Sequence, residues 1–343
     1  MPLRCGSHLG LLALLLWAAV PTHAASAPAP TATAFDLQRP DIRAFISDTA
    51  ARHDLPEQDI VAVLADARSQ PSIIAAMQRP AERVLPWWQY RERFLDAARI
   101  RNGLQFWQAQ RQLLEQIEQA RGVPAEYLVA IVGVETQWGR VTGRHKALDA
   151  LSTLAFDYPP RSAFFQGELQ NLLLLARDTG RDPRSLRGSY AGALGAPQFM
   201  PSSYRRYAVD HGGDGSIDLW NDWGDVLASV ANFLVVHGWR SGEPVMATAH
   251  INHEADDPLD FQLVLKDTVE KIRARGYRIE SDAPAAAPAV LVPAEQADSM
   301  GWRVGFQNFW VITRYNRSPR YAMAVHDLAL ALRQQMHTPP EAP

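Results

Sequence analysis

The sequence predicts a mainly α-helical protein of the α+β class, with a small β element near the C-terminus. From about Phe35 to residue 245, apolar side chains recur at helical spacing, and Pro and Gly interrupt the pattern where helices would end. A Pro-rich loop at residues 283–288 is followed by short β-prone stretches at Ala289–Val292 and Phe309–Thr313. A last helix is predicted from about Tyr321 to Met336.

Composition places the chain among ordinary globular proteins. It has 343 residues, of which 47% are hydrophobic and 21% charged, so it can bury a sizeable core. Lys and Arg number 34 against 37 Asp and Glu, which gives a net charge of -3, and no basic run is present. We therefore expect no nucleic-acid partner.

The N-terminus is typical of a cleavable secretory signal peptide over residues 1–24. Arg4 precedes an apolar run from Leu9 to Val20, and small residues follow around Ala24 and Ala27, the two positions near which cleavage is predicted. That run is too short to span a bilayer comfortably, and no other apolar stretch approaches eighteen residues. Cys5, the only cysteine, precedes the apolar run, so we expect neither a lipid anchor nor a disulfide. The sequence predicts a periplasmic protein without a transmembrane anchor.

The rest of the chain is predicted to form one folded region between two flexible segments. Residues 25–33 have a linker composition, and residues 336–343 form a Pro-containing tail. The folded region, 34–335, divides into three parts: a helical part at 34–120, a core at 121–245 and a C-terminal part at 246–335.

A carboxylate is predicted at the end of a buried helix. Pro124 suits the first turn of a helix, and Leu128, Ile131, Val132 and Glu135 then follow at i, i+3, i+4 and i+7. Glu135 therefore shares the apolar face of this helix.

Gly139 is a plausible stop for this helix, which places Glu135 in the last turn, near a surface where a cleft can form. Apolar neighbours and the negative end of the helix should raise the pKa of Glu135, as a general acid at neutral pH requires. The alternative is a structural Glu neutralised by a buried Arg.

The run from Gly188 to Tyr204 combines small residues with polar and aromatic ones. The small residues would let a ligand approach the backbone closely. Ser189 and Gln198 could hydrogen-bond sugar hydroxyl or acetamido groups, and three aromatic residues offer stacking faces: Tyr190, Phe199 and Tyr204. The alternative is a tight helix-turn-helix corner.

A degenerate EF-hand-like loop is predicted at residues 210–225. Oxygen-bearing side chains alternate around glycines that permit a sharp turn, and the candidate calcium ligands are Asp210, Asp214, Ser216 and Asp225. Gly212 supplies no side-chain ligand, and the closing acid is Asp instead of Glu. A metal-free turn between two helices is the alternative. His250 and His253 have a ligand-like spacing but are interpreted as surface residues.

Two motifs together resemble the lytic murein transglycosylase B family: Glu135–Gly139 and the run Ser189–Tyr204. Four further segments resemble family segments in the same order: Asp157–Arg161, Asp210–Trp220, Ser229–Phe233 and Val311–Asn316. The resemblance covers about residues 35 to 335.

The resemblance implies a lysozyme-like catalytic core flanked by helical and small mixed segments, with peptidoglycan glycan strands as the partner. It implies that Glu135 alone acts as acid and then as base, assisted by the acetamido group of the substrate, and leaves 1,6-anhydro ends. No cofactor is required, although some members bind calcium at the loop. Protein partners are not indicated.

The resemblance also implies substrate contacts at Ser189, Gln198, Tyr90, Arg161, Asn316 and Tyr321. Alternatives stay open for four of them. Tyr90 and Tyr321 could be packing residues, Arg161 an ion-pair partner, and Asn316 a cap of the last helix. Two rival functions also stay open: a hydrolase of peptidoglycan or chitin, and a noncatalytic glycan-binding scaffold.

Overall fold

The computed structural model describes residues 31–78, 85–251 and 262–337. The predicted signal peptide, residues 25–30 of the predicted linker, His253 and the tail from residue 338 onward lie outside these ranges. No helix in the described ranges is both long enough and apolar enough to cross a membrane.

Helices dominate the described residues. They are α1 (Pro40–His53), α2 (Glu57–Leu64), α3 (Pro71–Gln78), α4 (Trp87–Glu92), α5 (Ala97–Ala109), α6 (Arg111–Arg121), α7 (Ala125–Thr136), α8 (Ala147–Phe156), α9 (Ser162–Thr179), α10 (Pro201–Tyr207), α11 (Trp223–Val236), α12 (Val269–Ala274), α13 (Gln307–Tyr315) and α14 (Pro319–His337). A 3₁₀ turn at Pro159–Arg161 precedes α9. The mainly α fold class is confirmed.

The strands are short except near the C-terminus. They are β1 (Thr33–Ala34), β2 (Arg68–Ser69), β3 (His145–Lys146), β4 (Arg187–Gly188), β5 (Met246–Ile251), β6 (Asp267–Thr268), β7 (Tyr277–Ile279), β8 (Pro288–Glu295) and β9 (Met300–Gly305). Strands β1 and β2 pair, as do β3 and β4, and the other five form one antiparallel sheet in the order β6-β8-β9-β5-β7. This sheet is the predicted β element, and β8 contains the predicted strand at Ala289–Val292.

The second predicted strand, Phe309–Thr313, is wrong, because these residues lie inside α13. The run is apolar and β-branched, which favours a strand locally. In the folded chain Phe309, Val311 and Ile312 are buried in the main core, and the Thr313 hydroxyl donates to the Trp310 carbonyl at 2.6 Å. Tertiary packing of the helix therefore outweighs strand propensity here.

Helix α7 is a core helix. Every residue from Ala125 to Gly133 is buried, so apolar contacts surround the helix, where the sequence pattern predicted a single apolar face. Pro124 lies at the N-cap, one residue before the first turn. Helix α14 packs along α7 through a continuous buried stretch, Tyr321–Ala329. This packing brings the start of α14 to the end of α7.

Candidate active site

Helix α7 ends abruptly. The helix stops at Thr136, and Gln137 and Trp138 follow in the left-handed region, with φ of 52° and 57°. The Trp138 indole folds back and donates to the Val129 carbonyl at 3.0 Å. Its ring covers Gly133, where a Cβ would lie 2.6 Å from the ring, so only glycine fits. The helix thus ends earlier than Gly139, and Glu135 lies in its last turn, as predicted.

Glu135 borders a cavity of about 580 Å³, a volume within the usual range for small-ligand sites of about 300–1,000 Å³. Burial raises the pKa of this carboxyl to about 7, because the ionised form is poorly solvated there. The Tyr321 hydroxyl donates to Glu135 Oε1 at 2.7 Å and partly offsets this rise. Among the described residues, no Arg forms an ion pair with Glu135, which argues against the structural-Glu alternative.

Tyr315 supports this arrangement, and sequence reasoning missed it. Its ring stacks on that of Tyr321 with 6.4 Å between centroids and 12° between planes. Its hydroxyl donates to the Pro197 carbonyl at 2.6 Å. Burial first, and then the charge of Glu135, raise the pKa of Tyr315 well above its ordinary value. The protein therefore places two neutral phenols beside the acid.

The Gly-rich run forms a compact turn held by backbone bridges, and it is not a helix-turn-helix corner. It leaves β4, and Leu194 bridges to both Gly188 and Phe199 before α10 begins. Gly195 adopts a φ of +66°, and a Cβ there would lie 2.4 Å from the Leu219 carbonyl oxygen. The Thr136 hydroxyl donates to the Ala196 carbonyl at 2.9 Å and ties the turn to the end of α7.

Ser189 and Gln198 both line the cavity with Glu135. The Ser189 hydroxyl accepts from the Ala193 amide at 3.1 Å, and its own proton is available for a ligand. Gln198 adopts a φ of 52°, a strained value for a residue other than glycine. Its Nε2 donates to the carbonyls of Thr142 and Gly195, at 3.0 and 2.9 Å. The amide oxygen of Gln198 is then the group left to accept a ligand hydrogen bond.

One wall of the cavity was not predicted from the sequence. Residues 139–146, which we term the wall segment, run from the end of α7 through β3, and 140–145 line the cavity. A Cβ on Gly143 would lie 2.1 Å from the Gly188 carbonyl oxygen, so glycine is required for this close approach. A pair of glycines around a short polar stretch was the only sequence signal for this wall.

The three predicted stacking residues divide into two groups. Tyr190 lines the cavity and is 43% exposed, so its ring is available to a ligand. Phe199 and Tyr204 are only 2% and 3% exposed and pack in the core, so their predicted stacking role is wrong. Phe199 contacts the Phe233 ring, and the Tyr204 hydroxyl donates to the Ile217 carbonyl.

Tyr90 and Tyr321 lie near one another, since Tyr90 contributes to the raised pKa of Tyr321 after the larger effects of burial and Glu135. The Tyr90 ring also packs against Phe94, with 5.2 Å between centroids. Tyr321 is a packing residue, because it is only 3% exposed, and its hydroxyl also donates a hydrogen bond to Glu135.

Arg161 and Asn316, like Tyr90 and Tyr321, are not among the residues that line the cavity. The Arg161 guanidinium lies 4.4 Å from the Phe164 ring centroid, and no ion pair is formed by it within the described ranges. Asn316 is exposed and ends α13, where its carbonyl accepts from the Ser318 amide. Asn316 is therefore the C-cap residue of α13 and does not cap the last helix.

The loop at 210–225 is organised by its own carboxylates. Both oxygens of Asp210 accept backbone N–H bonds, at 2.6 and 2.8 Å, and both oxygens of Asp225 do so at 2.8 and 2.7 Å. Asp214 accepts from the Ser216 amide at 2.8 Å. In the part of the chain that the structure describes, no three His, Cys, Asp or Glu side chains are placed to hold a metal ion. As arranged, the carboxylates of Asp210, Asp214 and Asp225 are engaged by backbone N–H groups of the loop itself.

His250 is a surface residue, as expected. Its Nε2 lies 2.9 Å from Glu280 Oε1, and both side chains are nearly half exposed. His250 therefore pairs with a surface carboxylate.

A half-buried carboxyl with a raised pKa, at the edge of a cavity with hydrogen-bonding walls, is the arrangement that enzymes use for general acid-base catalysis. The family model described as "Transglycosylase SLT domain" matches residues 38–330. The chain belongs to this family, and the protein is a lytic transglycosylase.

Three known proteins illustrate the similarity. Membrane-bound lytic murein transglycosylase B of Escherichia coli K12 is 40% identical over 303 residues, which cover 85% of this chain and 82% of that protein. The crystal structure of soluble lytic transglycosylase SltB1 from Pseudomonas aeruginosa has 43% identity and a TM-score of 0.83, covering 87% of this chain and all of that one. Escherichia coli Slt35 in complex with calcium has 37% identity and a TM-score of 0.80, covering 90% and 97%.

Proposed function

We propose that the protein cleaves the β-1,4 bond between N-acetylmuramic acid and N-acetylglucosamine in peptidoglycan and leaves 1,6-anhydro-muramyl ends. The observation that carries the proposal is the carboxyl group of Glu135, whose pKa near 7 makes both its forms accessible at neutral pH. One group with this pKa can donate a proton in a first step and accept one in a second.

The composition of the cavity supports a mechanism with one carboxylate. Glycosidases usually place a second carboxylate about 5 to 10 Å from the acid, as nucleophile or base. Among the described residues that line this cavity, Glu135 is the only Asp or Glu. The substrate must then stabilise its own cation, and the acetamido oxygen of the muramyl unit is the nearest group that can attack its C1.

The proposed reaction conserves atoms without water. Glu135 gives its proton to the glycosidic oxygen, the C1–O bond breaks, and the acetamido oxygen bonds to C1. The ionised Glu135 then removes the proton from the C6 hydroxyl, whose oxygen displaces the acetamido group and closes the 1,6-anhydro ring. Glu135 ends protonated, ready for another cycle.

Ser189 and Gln198 are proposed to orient the sugar. The Ser189 hydroxyl can donate to a sugar oxygen, and the Gln198 amide oxygen can accept from an acetamido N–H. Because backbone carbonyls already hold the Gln198 Nε2, its orientation is fixed before substrate binds. Tyr190 offers its exposed ring to a sugar face, and Tyr90, Arg161 and Asn316 stay proposals from family resemblance.

Product mass distinguishes transglycosylation from hydrolysis. We expect muropeptides released from purified peptidoglycan to be one water lighter than those released by a muramidase, and to resist borohydride reduction, because they lack a reducing end. Mass spectrometry before and after reduction is the measurement. Reducing muramyl ends would instead assign the protein to the hydrolases.

Catalysis is proposed to need no metal cofactor, and the loop at 210–225 to bind calcium only weakly. The carboxylates of Asp210 and Asp225 already accept backbone hydrogen bonds that hold the loop. A tightly bound ion would raise the melting midpoint by mass action. We expect the same midpoint with millimolar calcium as with excess chelator, in thermal melts of the purified protein. A rise with calcium would contradict this proposal.

Export to the periplasm through cleavage near Ala24 is proposed from the N-terminal sequence, without lipidation, because the only cysteine precedes the apolar run. N-terminal sequencing of the protein recovered from the periplasm tests it. A start at Met1 would contradict cleavage.

A further inference from the structure

We propose that Arg140 and Arg144 of the wall segment bind carboxylates of the peptide carried by the muramyl unit, and so make the enzyme favour peptide-bearing strands. This inference rests on the proposed function and assigns a substrate feature to the same cavity. It concerns side chains that neither the spacing argument nor the family resemblance singled out.

The wall segment is cationic in a protein that is acidic as a whole. The chain has a net charge of -3, yet Arg140, Arg144 and Lys146 lie within seven residues that contain no acid. Across the β3–β4 pair, the Arg187 guanidinium donates to the Arg144 carbonyl at 3.0 Å and adds a further positive charge. Of these positive residues, Arg140 and Arg144 line the cavity.

Both proposed anchors are free to bind a ligand. Arg140 and Arg144 are exposed and line the cavity, and neither guanidinium forms an ion pair within the described ranges. Several other Arg residues on the described surface do have carboxylate partners, such as Arg184 with Asp66 and Arg205 with Asp178. The nearest acids along the chain are Glu135, five residues before Arg140, and Asp149, five residues after Arg144; Asp149 is buried and accepts from the Arg68 amide.

His145 lies between the two proposed anchors and β4 on the same wall segment. It also lines the cavity, and its pKa lies below the ordinary value, first because of burial and then because of the charge of Arg144. The guanidinium groups of Arg140 and Arg144 carry the positive charge of the cavity wall.

The backbone of the wall segment is held in place. The Val141 amide donates to the Thr136 carbonyl at 3.0 Å, Gln198 Nε2 holds the Thr142 carbonyl, and Gly143 contacts Gly188. The bases of both Arg side chains therefore have fixed positions relative to Glu135. A planar guanidinium presents paired N–H donors that match a carboxylate.

The proposed substrate supplies carboxylates at this place. The muramyl lactyl group is joined to a peptide that ends in a carboxylate and contains an acidic residue. When the peptide is removed, only the lactyl carboxylate remains. The lactyl carboxylate and the peptide carboxylates have the same chemistry. The peptide carboxylates are the proposed ligands, because the guanidinium groups lie at the outer ends of long exposed side chains.

The test compares three matched glycan strands of equal length: with free peptide carboxylates, with those carboxylates converted to amides, and with the peptide removed. The proteins are the wild type, the double variant Arg140→Gln/Arg144→Gln, and the control Arg278→Gln, which removes an exposed guanidinium on β7. The measurement is kcat/KM at low ionic strength, with affinity for soluble fragments of the same three types measured in a Glu135→Gln background.

Exposed ion pairs are individually weak, so we expect the wild type to favour free over amidated peptide by about fivefold. The preference should disappear in the double variant, persist in Arg278→Gln, and fall at high salt because the charges are screened. An equal preference in the double variant, or none in the wild type, would overturn the inference. So would peptide-free strands that match the peptide-bearing ones, because the lactyl carboxylate would then be the ligand.

Failure of the proposed function gives a different result. Hydrolytic products, or absent cleavage of all three strands, would refute the reaction while the affinities in the Glu135→Gln background still decide the carboxylate preference.

Discussion

Replacement of Glu135 by Gln is expected to lower turnover of peptidoglycan by at least about 10³-fold, while the affinity for glycan fragments stays within a few-fold of the wild type. The amide has nearly the same shape as the protonated acid but neither donates an acidic proton nor accepts one, and a positioned acid-base group commonly contributes about 10²–10⁴ to the rate. Because the same residue is proposed to act in both steps, the loss should lie at the upper end. Release of soluble muropeptides measures turnover, and calorimetry with a soluble fragment measures affinity.

A noncatalytic glycan-binding scaffold predicts a different result for the same variant. Any residual release would then be unchanged by Glu135→Gln, since it would come from elsewhere. Glu126→Gln is a useful control, because this residue lies on the same helix, is 7% exposed and does not line the cavity. Equal activity in wild type and Glu135→Gln would remove the acid-base assignment.

The Glu135→Gln variant should also fold at least as well as the wild type above neutral pH. In the unfolded chain Glu135 loses its proton near 4.5, whereas in the folded protein its pKa is about 7. The folded state holds this proton more tightly, so the contribution to stability falls as the pH rises from about 4.5 to about 7. The loss is complete above pH 7 and amounts to about 3 kcal/mol, at about 1.4 kcal/mol for each pH unit between the two values.

Thermal melts at pH 5 and pH 8 check this point. We expect similar midpoints at pH 5 and a higher midpoint for the variant at pH 8. A lower midpoint at both pH values would show that the amide disturbs packing, and the turnover result would then need a second variant, Glu135→Asp, in which the acid is kept but shortened.

Local sequence signals predicted the part of the site that depends on local structure. Helical spacing and the following glycine placed Glu135 in the last turn of a helix, and its raised pKa follows from that burial. The spacing did not reveal that α7 is buried on all sides, because an all-apolar helix and an amphipathic one share the same i, i+3, i+4 pattern over a short window.

Long-range contacts determined what the sequence pattern could not. Tyr321 meets Glu135 across 186 positions of the chain, and only the packing of α14 on α7 brings them together. Family resemblance pointed to Tyr321 as a substrate contact, whereas the structure adds a direct bond to the acid. The wall segment depends on contact between Gly143 and Gly188, which no local rule predicts. Phe199 was predicted to offer a stacking face, because the sequence does not show that distant neighbours such as Phe233 bury its ring.

The direct bond makes Tyr321→Phe the most informative substitution after Glu135 itself. The hydroxyl donates to Glu135 Oε1 and favours the ionised form, so its removal should raise the pKa of Glu135 above about 7. The first step needs the protonated acid, so the alkaline limb of kcat/KM should move to higher pH. The carboxylate formed as the proton leaves loses its stabilising donor, and kcat should fall about 10- to 100-fold, because hydrogen bonds to charged groups are worth about 1.5–3 kcal/mol.

Tyr315→Phe separates this electrostatic effect from loss of packing. Tyr315 stacks on Tyr321 and is buried in the same place, but its hydroxyl donates to the Pro197 carbonyl and not to the acid. Its removal costs one buried hydrogen bond of similar length, so any general loosening of the site should affect both variants. We expect the alkaline limb to move in Tyr321→Phe and to stay in Tyr315→Phe, as measured by pH profiles of kcat/KM on soluble glycan. If the alkaline limb of Tyr321→Phe also stays where the wild type has it, Tyr321 does not control the protonation of Glu135.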